Sequence, residues 1–255
     1  MRILVTNDDG HQSRGIGVLA GAIDGAGHDV LVVAPDRDQS GCGAGIGQWH
    51  LDDHIEVSDI ELEDAPGVQA VALRGTPALA VFAANLEAFG PPPDLVVSGI
   101  NPGLNTGRAT LHSGTVGAAL TAANLGRSGL AVSQDWGPTM LWSTAAALAV
   151  EAIGWLTDAP ARTVLNLNVP NTELEAVRGL RWATLAPFGS VRAAIAESGE
   201  GRLQMEFREV DDELPEGSDT AVVQAGYAAV SSLVGIRVGE PLPVDLALPP
   251  LRRSA

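Results

Sequence analysis

A chain of 255 residues, 45% hydrophobic and only 4% aromatic, is long enough for one large α/β domain or two small ones, each with a substantial core. Its 31 acidic residues outnumber 15 basic ones, and a formal charge of −16 excludes bulk binding to nucleic acid while admitting a small anionic ligand wherever a bound cation reverses the local sign. All the basic residues are arginine, so a lysine-bearing Walker loop and Schiff-base chemistry are excluded as well.

Ile3 to Thr6 reads as a short buried strand running straight into Asn7, Asp8, Asp9 and Gly10. Two carboxylates so near the start leave no room for the apolar core of a targeting segment. Ile16, Leu19, Ala20 and Ile23 fall at i, i+3, i+4 and i+7, the apolar face of a helix that Gly27 ends. Residues 29–34 (DVLVVA) are a second strand, and a right-handed parallel crossover is the default for such a strand, helix, strand unit. Pro77 opens a helix through Phe89, which Pro91, Pro92 and Pro93 stop before a strand at 94–98. Residues 115–125 predict a helix, 130–133 a strand, 139–156 a helix and 163–169 a strand. The longest apolar stretch, 145–156, contains Glu151 and is too short to span a bilayer, so no membrane association is expected.

Alternating strands and helices over residues 1–170 predict an open, doubly wound, mostly parallel sheet. Beyond Pro170 the pattern changes. Residues 180–185 and 203–210 look extended, as the two arms of a projecting hairpin, and 218–235 return to a short helix and a possible strand. The tail, 241–255, holds too many prolines for a core element and reads either as an arm lying on a partner subunit or as disordered chain. The expected division is a core over 1–178 and an extension over 179–255.

Ligands of open parallel sheets bind outside the carboxyl ends of the strands, and three loops leave strand ends at that edge: 6–13, 34–41 and 97–115. Asn, Asp and Gly favour turns, but a hairpin turn at 7–10 would need a second strand directly after Gly10, where a helical face follows instead. Asp8 and Asp9 converging with the Ser40 hydroxyl and the Asn101 amide oxygen would form an all-oxygen site for one hard divalent cation, Mg²⁺ or Mn²⁺, which also removes the repulsion between the two carboxylates. Ser113, Gly114 and Thr115 stand just before a helix, where free N–H groups and the helix dipole favour an anion; a plain N-cap accounts for the same residues. Taken together, the two features suggest a phosphate held between a cation and a helix terminus and attacked by a metal-activated water.

TNDDG at 6–10, APDRDQSG at 34–41, VSGINPGLNTG at 97–107 and SGTVGAA at 113–119 resemble the signature of the SurE family. RGTP at 74–77, NLNVP at 166–170 and the Asp219, Ala221, Val222, Gly226, Tyr227 pattern extend the likeness over most of the chain. The resemblance implies a metal-dependent phosphatase of nucleoside 5′- or 3′-monophosphates with a Rossmann-like core, a projecting hairpin and an exchanged C-terminal segment, assembled as a homodimer or homotetramer. It places metal ligands at Asp8, Asp9, Ser40 and Asn101, the catalytic role on Asp8 and Asp9, and phosphate contacts at Asn7, Ser113, Gly114 and Thr115. The chain departs from the family pattern at Arg108, Ala109 and His112, in the stretch after Ser40, and at Ser231 and Ser232. These positions border the substrate side and the assembly arm.

His11 and His112 lie in the loops and are candidate proton donors to a leaving alkoxide, although solvated loop positions account for both. Cys42, the single cysteine, precludes an internal disulfide and fits a cytoplasmic setting. It is no phosphatase nucleophile, because Gln48 stands where a C-x₅-R loop needs arginine; it reads as a small filler. Trp49 is a candidate for stacking on a base, while Trp136, Trp142, Trp155 and Trp182 read as core or interface. The opening also resembles that of a two-domain glycosyltransferase, but the chain is too short for a second doubly wound domain. The remaining alternatives are a non-catalytic nucleotide-binding protein and a phosphatase specialised for another small phosphorylated metabolite.

Overall fold

The computed structural model describes residues 1–47, 54–187, 191–199, 202–209, 213–238 and 240. Trp49 and the tail expected to form an exchange arm lie outside the described residues.

Strand β1 (Arg2–Thr6), helix α1 (Arg14–Gly25) and strand β2 (Asp29–Pro35) form the expected first unit, with Ile16, Leu19, Ala20 and Ile23 of α1 fully buried. Residues 57–73, for which the sequence pattern predicts no element, supply β3 (Val57–Asp59) and β4 (Gln69–Leu73). Both are short and carry few β-branched residues, so their signal is weak until β2 offers an edge to pair with. Helix α2 (Pro77–Asn85) begins where Pro77 predicts, and the Thr76 hydroxyl caps it by accepting from Leu79 N–H at 3.2 Å. The chain continues through β5 (Leu95–Pro102), α3 (Gly114–Asn124), β6 (Ser128–Gln134), α4 (Trp142–Asp158) and β7 (Val164–Val169). Strand β8 (Leu180–Trp182), the hairpin β9 (Val191–Gly199) and β10 (Arg202–Glu209), helix α5 (Asp219–Gln224) and strand β11 (Ala228–Leu233) follow. No helix among the described residues is long and apolar enough to cross a membrane.

The main sheet has nine strands in the order β3-β4-β2-β1-β5-β6-β7-β11-β8, and the six from β4 to β7 are parallel. The hairpin is real but differs from its expectation. Residues 180–182 do not pair with 203–210; as β8 they join the main sheet beside β11, and β9 is the partner of β10. The Ala-rich segment 191–199 has low intrinsic strand preference, so its pattern reads as a connection. Because β8 and β11 extend the same sheet, it runs continuously across position 178.

Helices α1 and α4 pack on one face of the sheet and α2 and α3 on the other. The steps β5 to β6 and β6 to β7 run in one direction across the sheet, yet their helices lie on opposite faces, so the two crossovers have opposite hands. The crossovers through α1, α2 and α3 agree with one another and with the right-handed rule; the one through α4 is left-handed. On the α3 face of β7, α3 packs against Val164, and the rest of the strand is left to other groups. Leu165 and Leu167 point toward α4, while Asn166 and Asn168 point to the opposite face, where Leu104 packs with Val222 and Val223 of α5.

Close approach of α3 to β6 is set at Gly129, where an added Cβ would stand 2.4 Å from Ala119 O and 2.8 Å from Ala119 Cα. Gly129→Ala should lower stability by about 1–3 kcal/mol through overpacking. Gly154→Ala, on the exposed side of α4 with nothing within 4 Å, should raise it by up to about 1 kcal/mol. Denaturant midpoints of the two variants check this, and equal midpoints would contradict the packing of α3 on β6.

Candidate active site

Strands β1 and β5 are neighbours, and the chain leaves β1 toward β2 on one side and β5 toward β6 on the other. Their carboxyl ends therefore flank the switch point of the sheet, where a crevice opens. The first loop begins there. Asn7 Nδ2 donates to Gly10 O at 2.9 Å, and Gly10 takes φ 91° with its Cα facing the Arg37 backbone, so the turn needs glycine. Gln39 N–H donates to Asp8 O at 2.7 Å and His11 N–H to Pro35 O at 2.9 Å, which ties the loop after β1 to the loop after β2.

The Asp8 carboxylate is buried, 3% exposed, against the first turn of α3. A Cβ on Gly114 would lie 2.6 Å from Asp8 Cβ and 2.7 Å from Asp8 Oδ2, so only glycine lets the helix end come so near. Thr115 Oγ1 stands 2.5 Å from Asp8 Oδ1 and 3.4 Å from Asn101 Oδ1. A hydroxyl has one proton, and it goes to the carboxylate. Asn101 Nδ2 donates to Gly103 O at 2.7 Å, which leaves its Oδ1 facing Thr115.

Ser113 is the N-cap of α3. Its Oγ accepts from Val116 N–H at 3.1 Å, and its own N–H donates to Thr110 O at 3.2 Å. Gly114 and Thr115 N–H, in the first turn, have no intrahelical acceptor and point out of the helix end. Asp8, Asn101, Gly114 and Thr115 thus meet directly, whereas Ser113 is engaged in capping.

Asp9 is half-buried, and its Oδ2 has no hydrogen-bond partner. Burial pushes its pKa up from 3.8 to about 7, and the charges of Asp8 and Asp38 add to the rise. Asn7 Oδ1, fully buried, is likewise without a partner. Ser40 is exposed at the rim. Its hydroxyl and N–H serve Asp38, whose pKa they lower, and it makes no hydrogen bond to Asp8, Asp9 or Asn101 among the described residues. The donor set fits a hard divalent cation: two carboxylates, an amide oxygen and hydroxyls, with unpartnered oxygens on Asp9 and Asn7. No group of three or more His, Cys, Asp or Glu side chains able to hold a metal occurs among the described residues, so a nitrogen and sulfur site of the zinc type has no support there.

Cys42 is half-buried beside Gly114. Burial, with the Asp8 charge second, pushes its thiol up to about 11, which keeps it protonated and non-nucleophilic at neutral pH. His11 Nδ1 lies 3.4 Å from Pro35 O, and His112 is exposed.

The anchoring of the third loop is what the sequence reasoning misses. Asn166 and Asn168 both donate through Nδ2 to Asn105 O, at 2.8 and 3.0 Å, and Asn105 N–H donates to Asn168 Oδ1 at 2.8 Å. The available signal is the spacing of the two asparagines, i and i+2 in an apolar strand, which puts two buried amides on one face and obliges them to find partners.

Fold and site define an α/β protein of the doubly wound class in which two adjacent carboxylates at the end of β1 meet the first turn of α3 at the switch point of the sheet. Residues 3–189 match the family described as Survival protein SurE. The chain is 34% identical to the 5′-nucleotidase SurE of Aeromonas hydrophila subsp. hydrophila, over 91% of this chain and 92% of that one. It is 37% identical to the 5′-nucleotidase SurE of Chloroflexus aggregans over the same shares. Among solved structures, the SurE protein of Aquifex aeolicus superposes with a TM-score of 0.74 at 30% identity, covering 91% of this chain and 93% of that chain. The chain belongs to the SurE family.

Because Asp9 titrates near 7 when folded and near 3.8 when unfolded, the folded metal-free protein holds a proton between those values that the unfolded chain releases. The Asp9 contribution to stability is then fully present below about pH 4 and lost as pH rises toward 7. Melting temperatures of metal-free protein should fall from pH 5 to pH 8, and saturating Mn²⁺ should recover the loss at pH 8. Asp9→Asn should flatten the slope; a slope unchanged by that substitution contradicts the assignment.

Proposed function

We infer that this protein is a cation-dependent phosphatase that hydrolyses phosphate monoesters, with nucleoside 5′-monophosphates as the first substrates. The observation that carries this reading is the contact between the Asp8 carboxylate and the first turn of α3 at Gly114. A carboxylate against two free N–H groups supports a reading in which a cation and an anion are held side by side. The family relationship supports the same reading, since its curated relatives are named for 5′-nucleotidase activity.

Asp8, Asp9 and Asn101 would hold the divalent cation, with Ser40 completing the set from the rim, and the cation supplies Lewis acidity toward a phosphoryl oxygen and toward water. Mg²⁺ or Mn²⁺ suits these oxygen donors. Gly114 and Thr115 N–H donate to the non-bridging phosphate oxygens, and the α3 dipole favours the charge that builds on them. Asn7 Nδ2 holds the loop that carries Asp8 and Asp9 through its bond to Gly10 O, and Asn7 joins Gly114 and Thr115 as a phosphate contact in this reading. Thr115 Oγ1 fixes the Asp8 carboxylate, and Asp9 Oδ2, buried and without a hydrogen-bond partner, would orient the attacking water. The reading includes hydrolysis of 3′-monophosphates, a cytoplasmic location and a homodimer or homotetramer assembled through residues 179–255.

Phosphate release from nucleoside 5′- and 3′-monophosphates and sugar phosphates tests the inference. Metal-stripped protein should be inactive, Mg²⁺ or Mn²⁺ should restore release, and Asp8→Asn and Asp9→Asn should each lower it at least about 100-fold. Phosphate and metal binding without release from any ester would make the protein a nucleotide-binding member of its fold. Release from sugar phosphates alone would move the substrate class.

A further inference from the structure

Asp219, the first residue of α5, is fully buried and carries three backbone hydrogen bonds from three separate segments. Its Oδ2 accepts from Gly107 N–H at 2.8 Å, while its Oδ1 accepts from Ala186 N–H and Thr220 N–H, both at 2.9 Å. Gly107 opens a 3₁₀ helix, Gly107–His112, that leads directly into the Ser113 cap of α3. The Gly107 carbonyl is held too, because Thr110 Oγ1 donates to Gly107 O at 2.9 Å. Thr110 O in turn accepts from Ser113 N–H at 3.2 Å, and Gly43 N–H donates to His112 O at 3.1 Å. A continuous run of hydrogen bonds thus joins a carboxylate in α5 to the turn that presents Gly114 and Thr115 N–H.

We propose that Asp219 is a positioning residue for the phosphate-binding turn, acting through Gly107 and Thr110; this rests on the phosphatase reading of the site. The carboxylate touches neither Asp8 nor Asn101, so it sets where the phosphate oxygens are met and leaves the cation donors in place. Its two oxygens have separate duties. Oδ1 fixes the start of α5 and the segment that leads to the hairpin, and Oδ2 fixes the third loop. An amide in its place keeps the Ala186 and Thr220 bonds on its single oxygen and turns its NH₂ toward Gly107 N–H, donor against donor. The reverse orientation keeps one bond and loses two. Asp219→Asn therefore releases the loop selectively.

The test measures steady-state kinetics with a nucleoside 5′-monophosphate, inhibition by inorganic phosphate, and Mn²⁺ affinity for wild type, Asp219→Asn and Thr110→Val. Thr110→Val breaks the same run at a residue that does not touch α5. In both variants KM and the phosphate inhibition constant should rise together, roughly 10-fold to 100-fold, with kcat falling by no more than the same factor because the displaced N–H groups also meet the charge that builds on the phosphoryl oxygens, and with Mn²⁺ affinity unchanged. The double variant should be no worse than the weaker of the two singles, since both cut one path. Folded variants with wild-type KM and phosphate inhibition overturn the proposal. So does a loss of Mn²⁺ affinity in step with phosphate, which marks general loosening of the fold. A wild type that neither releases nor binds phosphate refutes the phosphatase reading itself, and the proposal falls with it.

Discussion

Two adjacent carboxylates at the end of a buried strand are the constraint around which this molecule is arranged. Asp8 is almost wholly withdrawn from water and Asp9 half withdrawn, and neither has an arginine beside it among the ion pairs of the described residues. What Asp8 has instead is the positive end of α3, brought within van der Waals contact by Gly114, and the Thr115 hydroxyl. A helix terminus offsets only part of the cost of burying a carboxylate, and none of it falls to Asp9, whose pKa rises to about 7. The site stores a demand for positive charge that, in the proposed function, a divalent cation would meet.

Topology places that demand where a substrate reaches it. The parallel strands deliver three loops to one edge, and with α4 on the opposite face the α3 side of β7 is covered by α3 only at Val164, at the start of the strand. That face receives the asparagine pair of β7, the loop at Asn105 and helix α5. The third loop is consequently held from beneath by buried amides and a buried carboxylate, so the first turn of α3 rests on a fixed support. A loop of that length would otherwise lose much of its precision to motion.

Much of this was legible in the amino-acid order. Strands β1, β2, β5, β6 and β7 are apolar runs bounded by Gly, Pro or Asp, and α1 and α2 announce themselves through periodicity and Pro77. The pairing of Asp8 with the SGT turn follows from loop placement alone. Strands β3 and β4 were not legible because a three- to five-residue strand with few β-branched side chains is defined by its neighbour's edge, and β8 was legible as extended chain but not as a partner of β11. Position β9 was hidden by its alanines. The role of Asp219 was out of reach for another reason: a carboxylate serving backbone N–H groups 33 and 112 residues away leaves no local pattern. Ser113 shows the opposite case, where a familiar cap signal is a cap.

Anomalous diffraction from crystals grown with Mn²⁺ tests the central claim most directly. The account predicts a manganese peak at the end of β1, about 2.0–2.2 Å from carboxylate oxygens of Asp8 and Asp9 and from Asn101 Oδ1, with water in the remaining positions. A peak absent from the end of β1 while manganese occupies another site, with Asp9 Oδ2 still unpartnered, would contradict it.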